Sequence, residues 1–336
     1  MPDEHAIAGE DNLIQAYFAP LAAGFPGAFG LQDDCAALTP EPGHDLVLNT
    51  DAIAEGVHFL PGDAPADIAW KVLAVNVSDI AAKGAKPVAY LLSLSFRQMP
   101  ERMWMNDFAA GLRDAQESFG IALAGGDTDR RPNAPLSVTV MAIGSVPTGR
   151  MLRRGGGRAG DILYVSGTLG DSALGLRLRS GAIDEQIAVK IGAADRSVLE
   201  QRYLRPQPRV QLRSALLDHA RASMDISDGL VKDLRRMCQA SGIGAEVRAD
   251  RVPLSSAARS VLGVVPDLAH LPLSGGDDYE ILASVPPEKA AAFESAALTA
   301  GVAVTAIGAL RKETSVDVRD ANDQPVNLAN PGYDHF

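Results

Sequence analysis

Six short acidic motifs constrain this chain more than any other feature. They are LQDDCAAL (Asp33, Asp34), LNTDAI (Thr50, Asp51), NVSDIAAKG (Asp79), GGDTD (Asp127, Asp129), MDISDGL (Asp225, Asp228) and SGGDDYE (Asp277, Asp278, Glu280). Each stands where an apolar segment meets a turn, at the expected rim of a core element. Taken singly, an aspartate in such a place is a helix cap or a turn former, because its carboxylate accepts nearby backbone N–H groups. Taken together, carboxylates that converge on one cleft repel one another and must be neutralised. The basic residues of these motifs are few: Lys83, Arg130 and Lys232. Bound divalent cations are the economical solution. Oxygen-only donors, the carboxylates and the Thr50 hydroxyl among them, select hard ions, chiefly Mg²⁺. Two motifs carry paired glycines, Gly125–Gly126 and Gly275–Gly276. Without side chains there, backbone can approach a bulky ligand and offer N–H groups to its phosphates.

The formal net charge of −11 and pI of about 5.0 argue against nucleic acid or an anionic membrane as the main partner, since phosphate backbones attract basic surfaces. A small phosphorylated ligand stays compatible, because metal ions reverse the local field. The acidic start, MPDEHAIAGED, predicts no signal peptide, and no apolar run is long enough to cross a bilayer. Cys35 and Cys238 stand alone, so neither a disulfide frame nor a thiolate metal site is expected, and the cytoplasm is the expected setting. His5 and His58 are too isolated for a zinc site.

The pattern predicts a helix in EDNLIQAYFAPL, with Leu13, Ile14, Tyr17, Phe18 and Leu21 on one face, and a strand in HDLVLNTDAI. A long helix follows Pro65, from Asp67 to about Lys83, with Gly84 as its stop. VAYLLSLSF is a strand, 101–119 a helix, IALAGGD a strand leading into a loop, and LSVTVMAIGSV another strand. Texture changes after Pro147, and a domain boundary is placed near 148, giving domains 1–148 and 149–336. In the second half, DILYVS, AEVRAD, YEILASV and VAVTAIGAL read as strands, with helices in GLVKDLRRMCQAS and 287–299. The two Gly-Gly-Asp segments have unlike flanks, so no internal repeat is assigned.

Gly155, Gly157 and Gly160 satisfy G-x-G-x-x-G, yet a dinucleotide fingerprint needs a strand before it and a helix after it. Here the strand comes after, and the segment reads as a flexible arginine-rich turn. No P-loop signature occurs. Asp79, inside an apolar helix, is expected to pair with Lys83 at i+4 or to hold a metal. Asp228 is placed to cap the helix that follows it, leaving Asp225 for another task. Many carboxylates with Mg²⁺ and exposed amides suit phosphoryl transfer, which needs positioning and charge neutralisation more than covalent help. No Ser-His-Asp set, nucleophile elbow or Cys-His pair offers a covalent nucleophile, so no catalytic side chain of that kind is assigned.

The stretches DDCAAL, NTDAIAEGVHF, WKVLAVNVSDIAAKGAKP, GGDTDR, MDISDGL, LSGGDDYEIL and GYDHF resemble the thiamine-monophosphate kinase family of the aminoimidazole ribonucleotide synthetase superfamily, in one order over nearly the whole chain. The resemblance implies ATP-dependent phosphorylation of thiamine monophosphate to thiamine diphosphate by direct in-line transfer. It implies an α+β protein of two domains: an N-terminal mixed sheet with helices, whose sheets join as a barrel in a homodimer, and a C-terminal α/β sandwich. It places metal and nucleotide binding and dimerisation in the first domain. Carried over, Asp34, Asn49, Thr50, Asp51, Asp79, Asp127, Asp225 and Asp228 resemble Mg²⁺ ligands. Gly126, Asp127, Arg154 and Ser227 resemble nucleotide contacts, and His58, Asp277 and Tyr333 contacts to the thiamine substrate. Two positions depart from the family pattern: Gln32 replaces a glycine, and Asp277 replaces a glutamate one methylene longer.

Other reactions of the superfamily are the alternatives. Selenophosphate synthetases carry a reactive Cys or selenocysteine in a glycine-rich segment, which is not found here. The hydrogenase maturation enzyme ends in cysteine, whereas this sequence ends in Phe336. A nucleotide-binding regulator without turnover is the non-enzymatic reading, and the intact acidic set weighs against it.

Overall fold

The structure, a computed structural model, describes residues 7 and 9–334; His5 and the last two residues of the GYDHF ending lie outside them. It comprises two compact units, one of Met1–Ile80 and Ala85–Gly149, the other of Ala81–Gly84 and Arg150–Phe336.

The first unit is built on β1 (His44–Ala54), α1 (Pro65–Ala82), β2 (Lys86–Phe96), α2 (Arg102–Phe119), β3 (Ala122–Arg130) and β4 (Ser137–Pro147). The sheet order is β1-β4-β2-β3, antiparallel except for the parallel pair β2/β3. Pro65 opens α1 because its fixed φ suits a first helical turn and its missing N–H is not needed there. The Asp67 and Ile68 N–H groups close that turn on the Ala64 carbonyl. Val72, Leu73, Val77 and Ile80 of α1 are all buried, and so are Asn76 and Ser78, so the helix is enclosed nearly all round. In α2 the buried residues Met105, Phe108, Ala109, Leu112, Ala115 and Phe119 recur at helical spacing, and Gly120 ends the helix in the left-handed region.

Two expectations change here. The N-terminal helix is not continuous: Glu10–Leu13 and Ala19–Ala22 are α-helical, and Ile14–Phe18 between them has π geometry. Pro20 has no N–H for the Ala16 carbonyl, which is a recognised cause of such a break. Leu13, Tyr17, Phe18 and Leu21 are buried all the same, while Ile14 is only half-buried. Nor does IALAGGD run into a loop. β3 continues through both glycines to Arg130, with Gly126 opposite Leu92 and Asp127 opposite Ser93. A β-carbon on Gly126 would lie 1.9 Å from the Leu92 carbonyl oxygen, so glycine is what lets the strand stay paired.

The second unit contains β5 (Ile162–Ser166), α3 (Asp171–Arg179), α4 (Ala193–Leu204), α5 (Arg213–His219), β6 (Ala222–Ile226), α6 (Leu230–Ser241), β7 (Gly244–Arg248), α7 (Ser256–Val264), β8 (Glu280–Val285), α8 (Ala290–Thr299), β9 (Val304–Arg311) and β10 (Val316–Arg319). Its six strands run in the order β10-β7-β9-β5-β8-β6. β8 is buried at every position because both faces of the sheet are covered. Leu282 packs into a core with Leu230, Leu234 and Met237 of α6, and Ile281, Ala283 and Val285 into another with Leu216 of α5 and Phe293 of α8. α3, α4 and α7 enclose a third cluster around Leu174, Leu199 and Val261.

The arginine-rich segment at 150–160 is not a loose turn. Leu152 donates its N–H to the Lys83 carbonyl, the Arg153 carbonyl receives the Ser223 N–H, and Gly157 is buried where a β-carbon would meet Leu310 at 2.5 Å.

Two glycines give opposite expectations for stability. A β-carbon on Gly308 in β9 would stand 2.0 Å from the Glu246 carbonyl oxygen, whereas one on Gly263 in α7 would meet nothing within 4 Å. Gly308→Ala is expected to lower stability by about 1–3 kcal/mol through overpacking. Gly263→Ala is expected to raise it by about 0.5–1 kcal/mol through helix propensity. Urea denaturation of both variants checks the pair.

Candidate active site

In the first unit the predicted residues fall into two groups. Asp34, Gly126 and Asp127 line one cavity of about 730 Å³ together with Asp33, Cys35 and Gly125, and Phe18, Phe25 and Leu31 supply apolar wall. Carboxylates and glycine backbone thus meet an apolar recess, a combination that suits a ligand with a charged and an aromatic end.

The second group lies where β1 meets α1. Asn49 Nδ2 donates to Asn76 Oδ1 at 3.2 Å and to Asp79 Oδ2 at 3.1 Å. Asn76 Oδ1 also accepts the Asp51 N–H at 2.9 Å, and its Nδ2 donates to the Val72 carbonyl. Asn76 and Asp79 are three apart and share a helix face. Thr50 donates its hydroxyl to the Val140 carbonyl across β1/β4 at 3.0 Å. His58 accepts the Ala54 N–H on Nδ1 at 3.1 Å, which places the proton of a neutral ring on Nε2. The buried Lys71 ammonium holds the His58 carbonyl at 2.9 Å.

In the second unit Asp225, Ser227, Asp228, Asp277 and Tyr333 gather on one turn. β6 ends at Ile226, and residues 227–229 lead into α6. The Asp277 N–H donates to the Ser227 carbonyl at 2.8 Å, the Tyr279 N–H to the Ile226 carbonyl at 2.8 Å and the Tyr333 N–H to the Asp228 carbonyl at 2.9 Å. Asp277 and Tyr279 both have positive φ, 67° and 51°, a strained state held by these bonds. The Tyr279 hydroxyl donates to Asp277 Oδ1 at 3.1 Å.

Asp228 does not cap α6. The residue before the helix is Gly229, and the carboxylate that reaches the free N–H groups is Asp233, one turn inside. Asp228 instead pairs with Arg236 at 2.6 Å and Lys232 at 3.5 Å. Burial pushes the Asp233 carboxyl up to about 6, although backbone N–H groups and Arg236 pull the other way. Asp79 takes the Asn49 amide, and the Lys83 ammonium donates to the Ser223 carbonyl at 3.1 Å. Arg154 is exposed on the 150–160 segment. Asn76, Asp233 and Arg236 were not marked as site residues in the sequence, although Asn76 three before Asp79 and the acidic repeat in SDGLVKD were readable signals.

Behind the turn lies a buried charge cluster. Glu280 accepts from Arg202 at 2.7 Å, from Ser166 at 2.5 Å and from two nitrogens of Arg209. Burial raises the Glu280 carboxyl, but Arg209 and Arg202 outweigh it and hold the group below its usual range. Asp278 is buried with one oxygen on the Gly170 N–H and the other, Oδ1, without a hydrogen-bond partner. Burial holds its carboxyl well above the usual range.

Among the described residues no three His, Cys, Asp or Glu side chains stand together as a ready metal site. The donor set still suits a hard cation. It is made of oxygens, and Asn49 Oδ1 is a buried acceptor with no hydrogen-bond partner, an oxygen that a cation would satisfy.

The sequence matches the description "AIR synthase related protein, N-terminal domain" over residues 32–146 and "AIR synthase related protein, C-terminal domain" over residues 158–321. Fold and sequence therefore define an AIR synthase related protein of two α+β domains with mixed sheets. A thiamine-monophosphate kinase of Escherichia coli O157:H7 is 39% identical over 330 residues, 98% of either chain. Thiamine-monophosphate kinase from Stenotrophomonas maltophilia K279a, a solved structure, superposes with a TM-score of 0.78 at 40% identity, covering 86% of this chain and 89% of that one. A second solved structure, AaThiL complexed with AMPPCP and TMP, gives 0.76 at 31% identity over 98% and 97% of the two chains. The chain belongs to the thiamine-monophosphate kinase family, a family of enzymes. No described helix is long and apolar enough to cross a membrane.

The two buried carboxyls predict different responses to neutralisation. Glu280→Gln leaves Arg202 and Arg209 facing an amide and should cost about 3 kcal/mol. Asp278→Asn replaces a carboxyl whose charged form burial already disfavours and should cost about 1 kcal/mol or less. Thermal melts at neutral pH compare the two; equal losses would contradict this assignment of charge.

Proposed function

We propose that this protein transfers the γ-phosphoryl group of ATP to thiamine monophosphate, giving thiamine diphosphate and ADP. A phosphate oxygen of thiamine monophosphate attacks the γ-phosphorus in line, and the bond from that phosphorus to the β–γ bridging oxygen breaks without a phosphoenzyme. The observation that carries this reading is full-length similarity to thiamine-monophosphate kinases, one of them solved with AMPPCP and TMP.

Asp34, Asn49, Thr50, Asp51, Asp79 and Asp127 of the first unit, and Asp225 and Asp228 of the second, are the residues that would hold several Mg²⁺ ions. Bound there, the ions supply neutralisation of the charge on donor and acceptor phosphates. Gly126, Asp127, Arg154 and Ser227 contact the nucleotide. The absence of a side chain at Gly126 and the exposed Arg154 guanidinium suit phosphate oxygens. His58, Asp277 and Tyr333 contact thiamine monophosphate. His58 offers an Nε2–H to an anion, and Asp277 a carboxylate steadied by Tyr279. The residue set binds and orients, and the protein acts as a cytoplasmic homodimer. Exposed Leu46 and Leu48 on the edge strand β1 support joining of the N-terminal sheets as a barrel.

Incubation with ATP, Mg²⁺ and thiamine monophosphate followed by chromatography is expected to yield thiamine diphosphate; nucleotide binding without that product would refute the reading. Asp51→Asn and Asp127→Asn are each expected to abolish turnover while leaving the melting temperature near wild type, since a ligand charge is lost with little change in volume. Near-normal turnover in either variant removes that residue from the metal set.

A further inference from the structure

The turn at 227–229 has an unusual anchor on its far side. Asp233 is fully buried, and its Oδ2 accepts three successive backbone N–H groups, from Ser227 at 3.1 Å, Asp228 at 3.0 Å and Gly229 at 3.3 Å. Its other oxygen accepts Arg236 Nη1 at 2.6 Å. The same guanidinium reaches Asp228 Oδ2 through Nη2 at 2.6 Å. Arg236 is therefore a planar bridge between a fully buried carboxylate and a partly exposed one at the turn. An arginine fork holds direction as well as distance, which a point charge such as Lys232 does not. The turn is also closed sterically: Gly229 has φ +126°, and a β-carbon there would meet the Ser274 carbonyl oxygen at 2.8 Å.

The carbonyl side of this turn carries the other half of the arrangement. Ile226, Ser227 and Asp228 offer their carbonyls to the N–H groups of Tyr279, Asp277 and Tyr333. One buried carboxylate thus fixes the N–H face of a turn whose C=O face holds the two segments assigned to the thiamine substrate.

We propose that Asp233 and Arg236 are positioning residues for phosphoryl transfer. Asp233 pins the 227–229 turn, and Arg236 aims the Asp228 carboxylate at the metal. The inference rests on the reading of Asp228 as a Mg²⁺ ligand and Ser227 as a nucleotide contact. Groups one step removed from a metal commonly change metal affinity by about 10–100-fold when removed. The rival account gives Arg236 the opposite sign: a cation competing with Mg²⁺ for Asp228, whose removal would tighten the metal.

Arg236→Met separates the two. Its side chain is partly exposed, so the variant should still fold, at a lower melting temperature because buried Asp233 loses its cationic partner. Titration calorimetry of the full chain with Mg²⁺ and AMPPCP should show about tenfold weaker binding of the metal–nucleotide pair. In turnover the Mg²⁺ concentration for half-maximal rate should rise, with KM for thiamine monophosphate little changed. Arg236→Lys should restore part of the loss, since an ammonium reaches one carboxylate but cannot bridge both. Asp233→Asn should weaken Mg²⁺·AMPPCP further and raise both KM values, because both faces of the turn loosen; should it fail to fold, Arg236→Met still decides. Unchanged or tighter binding in Arg236→Met overturns the proposal. The calorimetry stands without thiamine monophosphate, so a wild type that makes no thiamine diphosphate defeats the functional reading and leaves the positioning claim separately measurable.

Discussion

Carboxylates at strand ends and turns are the constraint on which this structure depends. Carboxylates buried or set at the ends of strands are costly unless something neutralises or solvates them. The protein answers differently in its two units. In the first, amide side chains take part: Asn49 and Asn76 tie Asp79 and the Asp51 backbone together. In the second, guanidinium groups and backbone N–H groups do it: Arg236 for Asp228 and Asp233, Arg202 and Arg209 for Glu280.

The guanidinium solution has another consequence. Glu280, Asp278 and Asp233 are all buried, and each holds one end of a segment that carries a proposed ligand contact. Asp278 and Glu280 alternate with Asp277 and Tyr279, whose positive φ values would relax in a free loop. The strain persists because the loop is fastened on both sides: the Gly170 N–H on Asp278, and the carbonyls of Ile226 and Ser227 on Tyr279 and Asp277. Stability in this unit and accuracy at the turn are maintained by the same buried carboxyl groups.

Much of this was legible in the sequence, and what was missed has physical causes. α2, α6, β2 and β4 follow clear hydrophobic periods, α1 is a long apolar run between Pro65 and Gly84, and all appear near where the pattern put them. β6 and β10 were not read as strands: ASMDI is too short and VDVR too polar to stand out beside stronger signals. α4 buries only Leu199, Tyr203 and Leu204, too thin a stripe to declare a helix. The passage of β3 through Gly125–Gly126 ran against the usual reading of paired glycines as a loop, because the close approach to Leu92 is a tertiary fact. The acidic motifs were visible at once. Their partners were harder to see, since Asp233 looks like an ordinary helix residue until its side chain turns back on the N–H groups before it. Asp228 was expected to cap the helix; instead this later aspartate fastens the turn before it.

The central claim is that these carboxylates serve as ligands for the magnesium that accompanies the nucleotide. A crystal structure grown with Mg²⁺, a non-hydrolysable ATP analogue and thiamine monophosphate tests it most directly. The account predicts metal–oxygen distances of about 2.1 Å to Asp51, Asp79 and Asp127 in the first unit and to Asp225 and Asp228 in the second. Nucleotide bound with its magnesium held by water and phosphate alone, and these carboxylates still in contacts to protein, would contradict it.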